Sequence, residues 1–134
     1  VGLARAQGYG AKFKEYLKWQ SESPIVIAQI EHINAVKNLD EILKVKGLDA
    51  IMIGPYDLSA SMGITAEFDN EDFIAEMNQI ISLCNRYNIP CGDHVVQPDP
   101  KLLEKRIKQG YLFLAYSADG IFLYSSSAAP KHSI

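Results

Sequence analysis

LDAIMIGPYDLSASMG, Leu48 to Gly63, is the stretch whose reading decides the fold. An apolar run, Leu48 to Ile53, enters a Gly54-Pro55 turn and delivers one carboxylate, Asp57. An earlier run, Ile25 to Ile30, is also nearly continuous in apolar character and ends at Glu31. Runs of this kind predict strands buried on both faces, as in a parallel sheet covered by helices. Each acid then lies just past the C-terminal end of a strand. That is the rim where βα loops build sites.

Working outward, the rest of the chain alternates in the same way. Phe13, Tyr16, Leu17 and Gln20 follow helical spacing within Lys12 to Gln20, and Ser23-Pro24 stops that helix. Between the two strands, Val36, Leu39, Ile42 and Leu43 make one apolar stripe. They predict a helix from Asn34 to Lys46, capped by Asn34 and ended by Gly47. After Gly63, Asp69 or Asn70 caps a long helix whose apolar face is Phe73, Ile74, Met77, Ile80, Ile81 and Cys84. Tyr87-Asn88 closes it, and Ile89 to Val96 reads as a third strand. Asp99-Pro100 opens a helix over Lys101 to Gln109, with Pro100 in its first turn. Gly110 stops that helix, and Tyr111 to Tyr116 is a fourth strand. Strand starts therefore recur about every 20 to 40 residues, the mark of βαβ units in an α/β fold. Spacing alone leaves doubly wound and barrel folds both open.

Composition narrows the function classes. The chain has 134 residues, 48% of them hydrophobic, enough for one modest core and a single domain over 1–134. A formal net charge of -3 gives no general grip on nucleic acid or anionic membrane, so neither is expected as a partner. No apolar run approaches the roughly 20 residues that span a bilayer. Cys84 and Cys91 have neither zinc-ribbon spacing nor a disulfide framework, which points to the cytoplasm. There is no GxGxxG after a strand and no GxxxxGK[ST], so dinucleotide and P-loop sites have no positive support. The chain opens at Val1 without an initiator Met, and four strands cannot close a (β/α)8 barrel. The expectation is part of a longer polypeptide.

Glu31 and Asp57 are the pair that can carry chemistry. Hard divalent ions such as Mg²⁺ take carboxylate and water oxygens, and two carboxylates leave positions for substrate. A 2-keto acid can fill two of them, with the ion acting as Lewis acid. The Gly54-Pro55-Tyr56-Asp57 turn is a candidate cradle for a substrate carboxylate, with amides from Tyr56 or beyond because Pro55 has no N–H. Ser59 and Ser61 place further oxygens nearby. His32 either hydrogen-bonds within its loop or stands at the site edge. Cys91, Asp93 and His94 are too small a set for a soft-metal site. Asp119 lies at the fourth strand end, Arg5 in a loop near the rim, and His132 in the tail.

At these residues a family resemblance emerges. The segment IAQIEHINAVKNLDEILKVKGLDAIMIGPYDLSASMG, Ile27 to Gly63, resembles the HpcH/HpaI aldolases. The shared features are the QIE triplet, the A-V-x-N-L-D-E-I helix opening and D-A-x-x-I-G-P-x-D-L-S-x-S-x-G. The likeness extends weakly to ARAQGYG and LFLAYSADGIFL. It implies the C-terminal half of a (β/α)8 TIM barrel of the phosphoenolpyruvate/pyruvate-dependent type. It also implies Glu31 and Asp57 as metal ligands, with Mg²⁺, Mn²⁺ or Co²⁺ as the ion. Gly54, Pro55, Tyr56 and Asp57 then match the turn that receives the pyruvate carboxylate. The implied reaction is cleavage of a 2-keto-3-deoxy or 4-hydroxy-2-oxo acid to pyruvate and an aldehyde, in a homo-oligomer, commonly a hexamer. The family's enolate-stabilising arginine and proton-moving histidine–aspartate pair belong to the barrel's first half. They map onto no position here, and Arg5, His32 and His94 do not replace them. Tyr56 stands where many members carry a small residue; it narrows the aldehyde side, adds a hydroxyl donor or lies over its loop. The competing readings are a non-catalytic half-barrel that binds metal or assembles with a partner, and a related acyl-CoA lyase.

Overall fold

A computed structural model describes residues 3–127. The four predicted strands form one parallel sheet: β1 (Ile27–Ile30), β2 (Ala50–Ile53), β3 (Cys91–Val95) and β4 (Phe113–Tyr116). Their spatial order is β1-β2-β3-β4, with no reversal. A doubly wound sheet reverses direction at a switch point. Right-handed crossovers running in one direction instead put the connecting helices on a single face. That choice, which spacing left open, falls to the barrel type: the chain builds half of a (β/α)8 arrangement.

Burial divides the sheet in the same way. Ile30, Ile51, Ile53 and Cys91 pack in one core with Leu39 and Leu43 of the first connection and Phe73, Met77, Ile80 and Cys84 of the second. The second connection carries α5 (Glu71–Tyr87), whose N-cap Asn70 accepts a hydrogen bond from the Asp72 amide and whose C-cap Asn88 is left-handed. The third is α6 (Pro100–Lys108), capped by Asp99. Strand alternation sends Gln29, Met52, Gly92 and Phe113 to the opposite face. A side chain on Gly92 would collide with the Phe113 ring, its Cβ only 2.3 Å from Cε2, so Phe113 leans across β3 on that face. Gln29 is exposed and Met52 and Phe113 are half-buried there.

Three expectations need correction. The first strand was expected to be buried on both faces, yet Ile25, Val26 and Ile27 are 68%, 46% and 49% exposed. β1 is the sheet edge among the described residues, with no neighbour on its outer side to cover it. Its lead-in is tied down by Asp49, which accepts the Val26 N–H at 2.7 Å. The helix expected over Asn34 to Lys46 is two short ones, α2 (Ile33–Lys37) and α3 (Leu39–Ile42). Asn38 breaks it by donating its side-chain amide to the Asn34 carbonyl, a local competition typical of Asn. His32, not Asn34, caps α2: its Nδ1 accepts the Asn34 N–H at 3.1 Å.

Two further helices stand at the two ends of the described chain. The N-terminal helix is α1 (Phe13–Glu22), preceded by a 3₁₀ segment, Arg5–Gly10. The apolar run after β4 folds as the last helix, Asp119–Ser126, with Leu123 and Tyr124 facing outward. The tail holding His132 lies outside the described residues.

Candidate active site

Gly54 is where the two carboxylate-bearing junctions meet. Pairing of Ile30 with Ile53 continues for one step, with the Gly54 N–H donating to the Ile30 carbonyl at 3.1 Å. This sets Gly54 beside Glu31 on the face away from the core. A Cβ on Gly54 would lie 2.9 Å from Glu31 Cβ and 3.0 Å from Glu31 Oε2. Glycine is needed here because the Glu31 side chain fills that space. Its carboxylate is also oriented from below, where Gln29 Nε2 donates to Oε2 at 2.7 Å.

Asp57 reaches the same rim from the next element. Gly54 is the N-cap and Pro55 the first residue of α4 (Pro55–Ser61), so Asp57 falls in its first turn. Pro suits that position, and an acid there is favoured by the helix dipole. The Tyr56 and Asp57 amides precede the first intrahelical bond, made by Leu58 to the Gly54 carbonyl at 2.9 Å. They remain available to an acceptor.

Ser61 locks the two junctions together. Its hydroxyl donates to the Leu58 carbonyl at 2.7 Å and accepts the Ile33 N–H at 2.9 Å, holding the loop after Glu31 against α4. Ser59 is fully buried, donating to the Tyr56 carbonyl and accepting the Ala66 N–H. Both hydroxyls thus serve the scaffold, whereas the sequence suggested oxygens for a site. Gln29 is the contributor that sequence reasoning missed, and Ser61 was placed near the site without its role in holding the two junctions together. QIE did place an amide two residues before the acid, on the same strand face, which was the available signal.

The Tyr56 ring packs on an aromatic neighbour. It meets Phe68 edge-on at a centroid distance of 4.9 Å, and Phe68 in turn packs on Phe73. It lies over its loop. A cavity of about 490 Å³ opens behind it between α5 and α6, with Pro55, Tyr56, Asp93, His94 and Arg106 in its lining. Neither Glu31 nor Asp57 borders that space, so the cavity and the carboxylate pair are separate features. Asp93 is 1% exposed, and its Oδ2 pairs with Arg106 Nε at 2.7 Å. Burial pushes its carboxyl above the ordinary aspartate range, and Arg106 pulls it part of the way back. His94 bridges the ends of β3 and β4 through Nε2, 3.1 Å from the Ser117 carbonyl. Asp119 accepts the Gly120 N–H, a local turn contact. Arg5 lies in the 3₁₀ segment, where the only buried residue is Gln7.

The donor set suits a hard divalent ion: two exposed carboxylates, one pre-oriented, beside a glycine whose missing Cβ leaves room for them. Among the described residues no group of three or more His, Cys, Asp or Glu gathers at one place. Water and substrate would complete the coordination. Replacing Gly54 by Ala is expected to displace Glu31 and lower ion-dependent turnover roughly 10²-fold, the scale set by misplacement of about 1 Å. Circular dichroism should be unchanged, because Glu31 faces away from the core. Turnover within threefold of the unaltered protein would show that Glu31 need not sit where it does.

Residues 5–126 match the family model described as HpcH/HpaI aldolase/citrate lyase. A 2-dehydro-3,6-dideoxy-6-sulfogluconate aldolase of Pseudomonas putida is 34% identical over 127 residues, 95% of this chain and 49% of the relative. A 4-hydroxy-2-oxo-heptane-1,7-dioate aldolase of Escherichia coli is 32% identical over 127 residues, 95% of this chain and 47% of the relative. The crystal structure of an HpcH/HpaI aldolase from Desulfitobacterium hafniense superposes with a TM-score of 0.74 at 27% identity. That match covers 87% of this chain and 44% of the other. The chain spans about half the length of the curated relatives it matches. No described helix is long and apolar enough to cross a membrane.

Proposed function

The chain belongs to the HpcH/HpaI aldolase/citrate lyase family, and from that premise we propose that it serves a divalent-metal-dependent class II aldolase. The reaction is cleavage of a 2-keto-3-deoxy or 4-hydroxy-2-oxo acid to pyruvate and an aldehyde. The observation that carries this reading is Glu31 lodged against Gly54, at the same rim as Asp57. Two relatives named as aldolases of such acids support it over the acyl-CoA lyase alternative.

In this reading Glu31 and Asp57 hold the ion, Mg²⁺ or Mn²⁺ with Co²⁺ as a substitute. Bound there, it supplies Lewis-acid polarisation of the keto oxygen. Gln29 holds the Glu31 carboxylate in one orientation. The turn from Gly54 to Asp57 receives the substrate carboxylate, Tyr56 and Asp57 through their amides, Gly54 and Pro55 by shaping the approach. No residue of this chain is assigned to enolate stabilisation or to proton transfer. Those roles fall to the other half of the barrel, which this domain, 1–134, completes as the C-terminal half. The uncovered β1 edge and the half-exposed face opposite the helices support such a complement. A cytoplasmic homo-oligomer, a hexamer by family likeness, completes the proposal; Cys84 and Cys91 are free thiols.

The test is pyruvate release from a 4-hydroxy-2-oxo acid after chelation and after addition of each ion, read by coupled reduction to lactate. Release is expected only when an ion is returned. A protein silent with Mg²⁺, Mn²⁺ and Co²⁺ would instead be the non-catalytic half-barrel, a reading that the half-length coverage also fits.

A further inference from the structure

The cavity between α5 and α6 lies apart from Glu31 and Asp57, and its walls carry chemistry that the proposed reaction does not use. Its place in the fold matters first. α5 and α6 follow β2 and β3, the two inner strands of the sheet. Closing a barrel pairs the outer strands, β1 and β4, with further strands and puts none between α5 and α6. At about 490 Å³ the cavity falls within the size range of pockets that take small molecules.

One side of it is aromatic. Tyr56, Phe68 and Phe73 pack on one another in turn, and all three line the space with Met77. Such walls suit a flat apolar ring. The other side is basic. Arg106 is 13% exposed and is held by three neighbours. Its Nε lies 2.7 Å from Asp93 Oδ2, its Nη1 donates to Gln109 Oε1 at 3.0 Å, and its guanidinium stands 5.7 Å from the Tyr111 ring centre. These contacts fix the group without saturating it. Nε is too poorly aligned with Oδ2 to hydrogen-bond to it, and among the described residues Nη2 has no partner. A guanidinium carries five N–H donors in a plane, the geometry that a carboxylate matches.

The acids in the lining leave room for an anion. Asp93 is engaged by Arg106 and by the His94 N–H. Asp99 accepts the Lys101 and Leu102 amides at the start of α6, and Asp69 is exposed to solvent. Lys105, also in the lining, forms no ion pair among the described residues.

We propose that this cavity is a second ligand site, for a monocarboxylic acid with an apolar body of one ring. The ring lies against Tyr56, Phe68 and Phe73, and the carboxylate meets Arg106 and Lys105. Binding requires no divalent ion, so the site stands or falls independently of the aldolase reading.

The test titrates 3-phenylpropanoate into the full chain without divalent ion, with 3-phenylpropanamide and 3-phenylpropylamine as neutral and cationic counterparts. Carbon-13 labelling of the methionine methyls gives three signals, from Met52, Met62 and Met77. Met77 is buried and lines the cavity, whereas Met52 lies on the opposite face of the sheet. The acid is expected to shift the Met77 signal saturably, with a Kd of roughly 1 mM or below. The amide should bind at least about tenfold more weakly. Lys105→Gln should weaken the acid by about threefold and leave the amide unchanged. Ile74→Trp adds bulk to the lining at a position 42% exposed and should abolish the Met77 shift, with the Met52 and Met62 signals reporting an intact fold. Equal binding of acid and amide, tighter binding of the amine, or a shift confined to Met52 or Met62 overturns the inference. So does a Met77 signal that moves with protein concentration alone, which would place a second copy of the chain in the cavity.

Discussion

Glu31→Gln is expected to lower ion-dependent pyruvate release by at least about 10³-fold while leaving the unfolding midpoint where it was. The glutamate contributes little to the fold: it is exposed, and its side chain accepts a hydrogen bond from the neighbouring Gln29 amide. Glutamine has the same shape and still fills the space beside Gly54. What changes is the charge. A site with two carboxylates becomes a site with one, and a hard dication loses half of its protein charge compensation. Lewis-acid stabilisation is worth several kcal/mol, and about 4 kcal/mol corresponds to three orders of magnitude in rate. Asp57→Asn should match it in rate, but with a small cost in stability. An acid in the first turn of α4 also interacts with the helix dipole, worth roughly 0.3–1 kcal/mol. Titration of Mn²⁺ by electron paramagnetic resonance provides a readout independent of turnover. Glu31→Gln that binds Mn²⁺ as tightly as the unaltered protein would remove Glu31 from the ligand set.

Elements whose signal is local were legible in the sequence. The run Leu48 to Ile53 and its Gly54-Pro55 turn give β2 and the start of α4 because burial and Pro placement are properties of neighbours in the chain. Asn70, Asn88 and Asp99 mark helix ends for the same reason. Properties set across the chain were hidden. Ile25 to Ile27 are apolar whether β1 lies in the middle of a sheet or at its edge, and only the strand order reveals their exposure. Asn38 fits a helix stripe until its side chain takes the Asn34 carbonyl. Glu31 and Asp57 could be placed at strand ends from the sequence, but Gln29 and Ser61 acquire their roles only through contacts. The closeness of Gly54 to Glu31 required register, which alternation alone does not supply.

Asp93 and Arg106 illustrate the same point energetically, and breaking their pair should produce a large stability change. They lie on β3 and α6, with side chains 1% and 13% exposed, and the sequence around Asp93 reads as one more strand. Removing one partner leaves the other desolvated without compensation, at a cost of about 3–5 kcal/mol. Arg106→Met is therefore expected to lower the urea midpoint sharply, and Asp93→Leu to do the same by stranding the guanidinium. The double variant Asp93→Leu/Arg106→Met should recover most of the loss, since apolar groups of similar volume can replace a buried pair. Acidity supplies a second signature. Burial raises the Asp93 carboxyl above its usual value of 3.8, against the opposing pull of Arg106. Between the unfolded and folded values the native state holds a proton that the unfolded chain has released, so stability falls as pH rises through that window. Paired carboxylates ordinarily give the opposite slope. Arg106→Met removes the opposing charge, so the window should extend to higher pH and the decline should steepen. In the double variant this contribution to the slope should vanish. Single variants with unchanged midpoints would mean that water reaches the pair, and that the core closes around β3 without it.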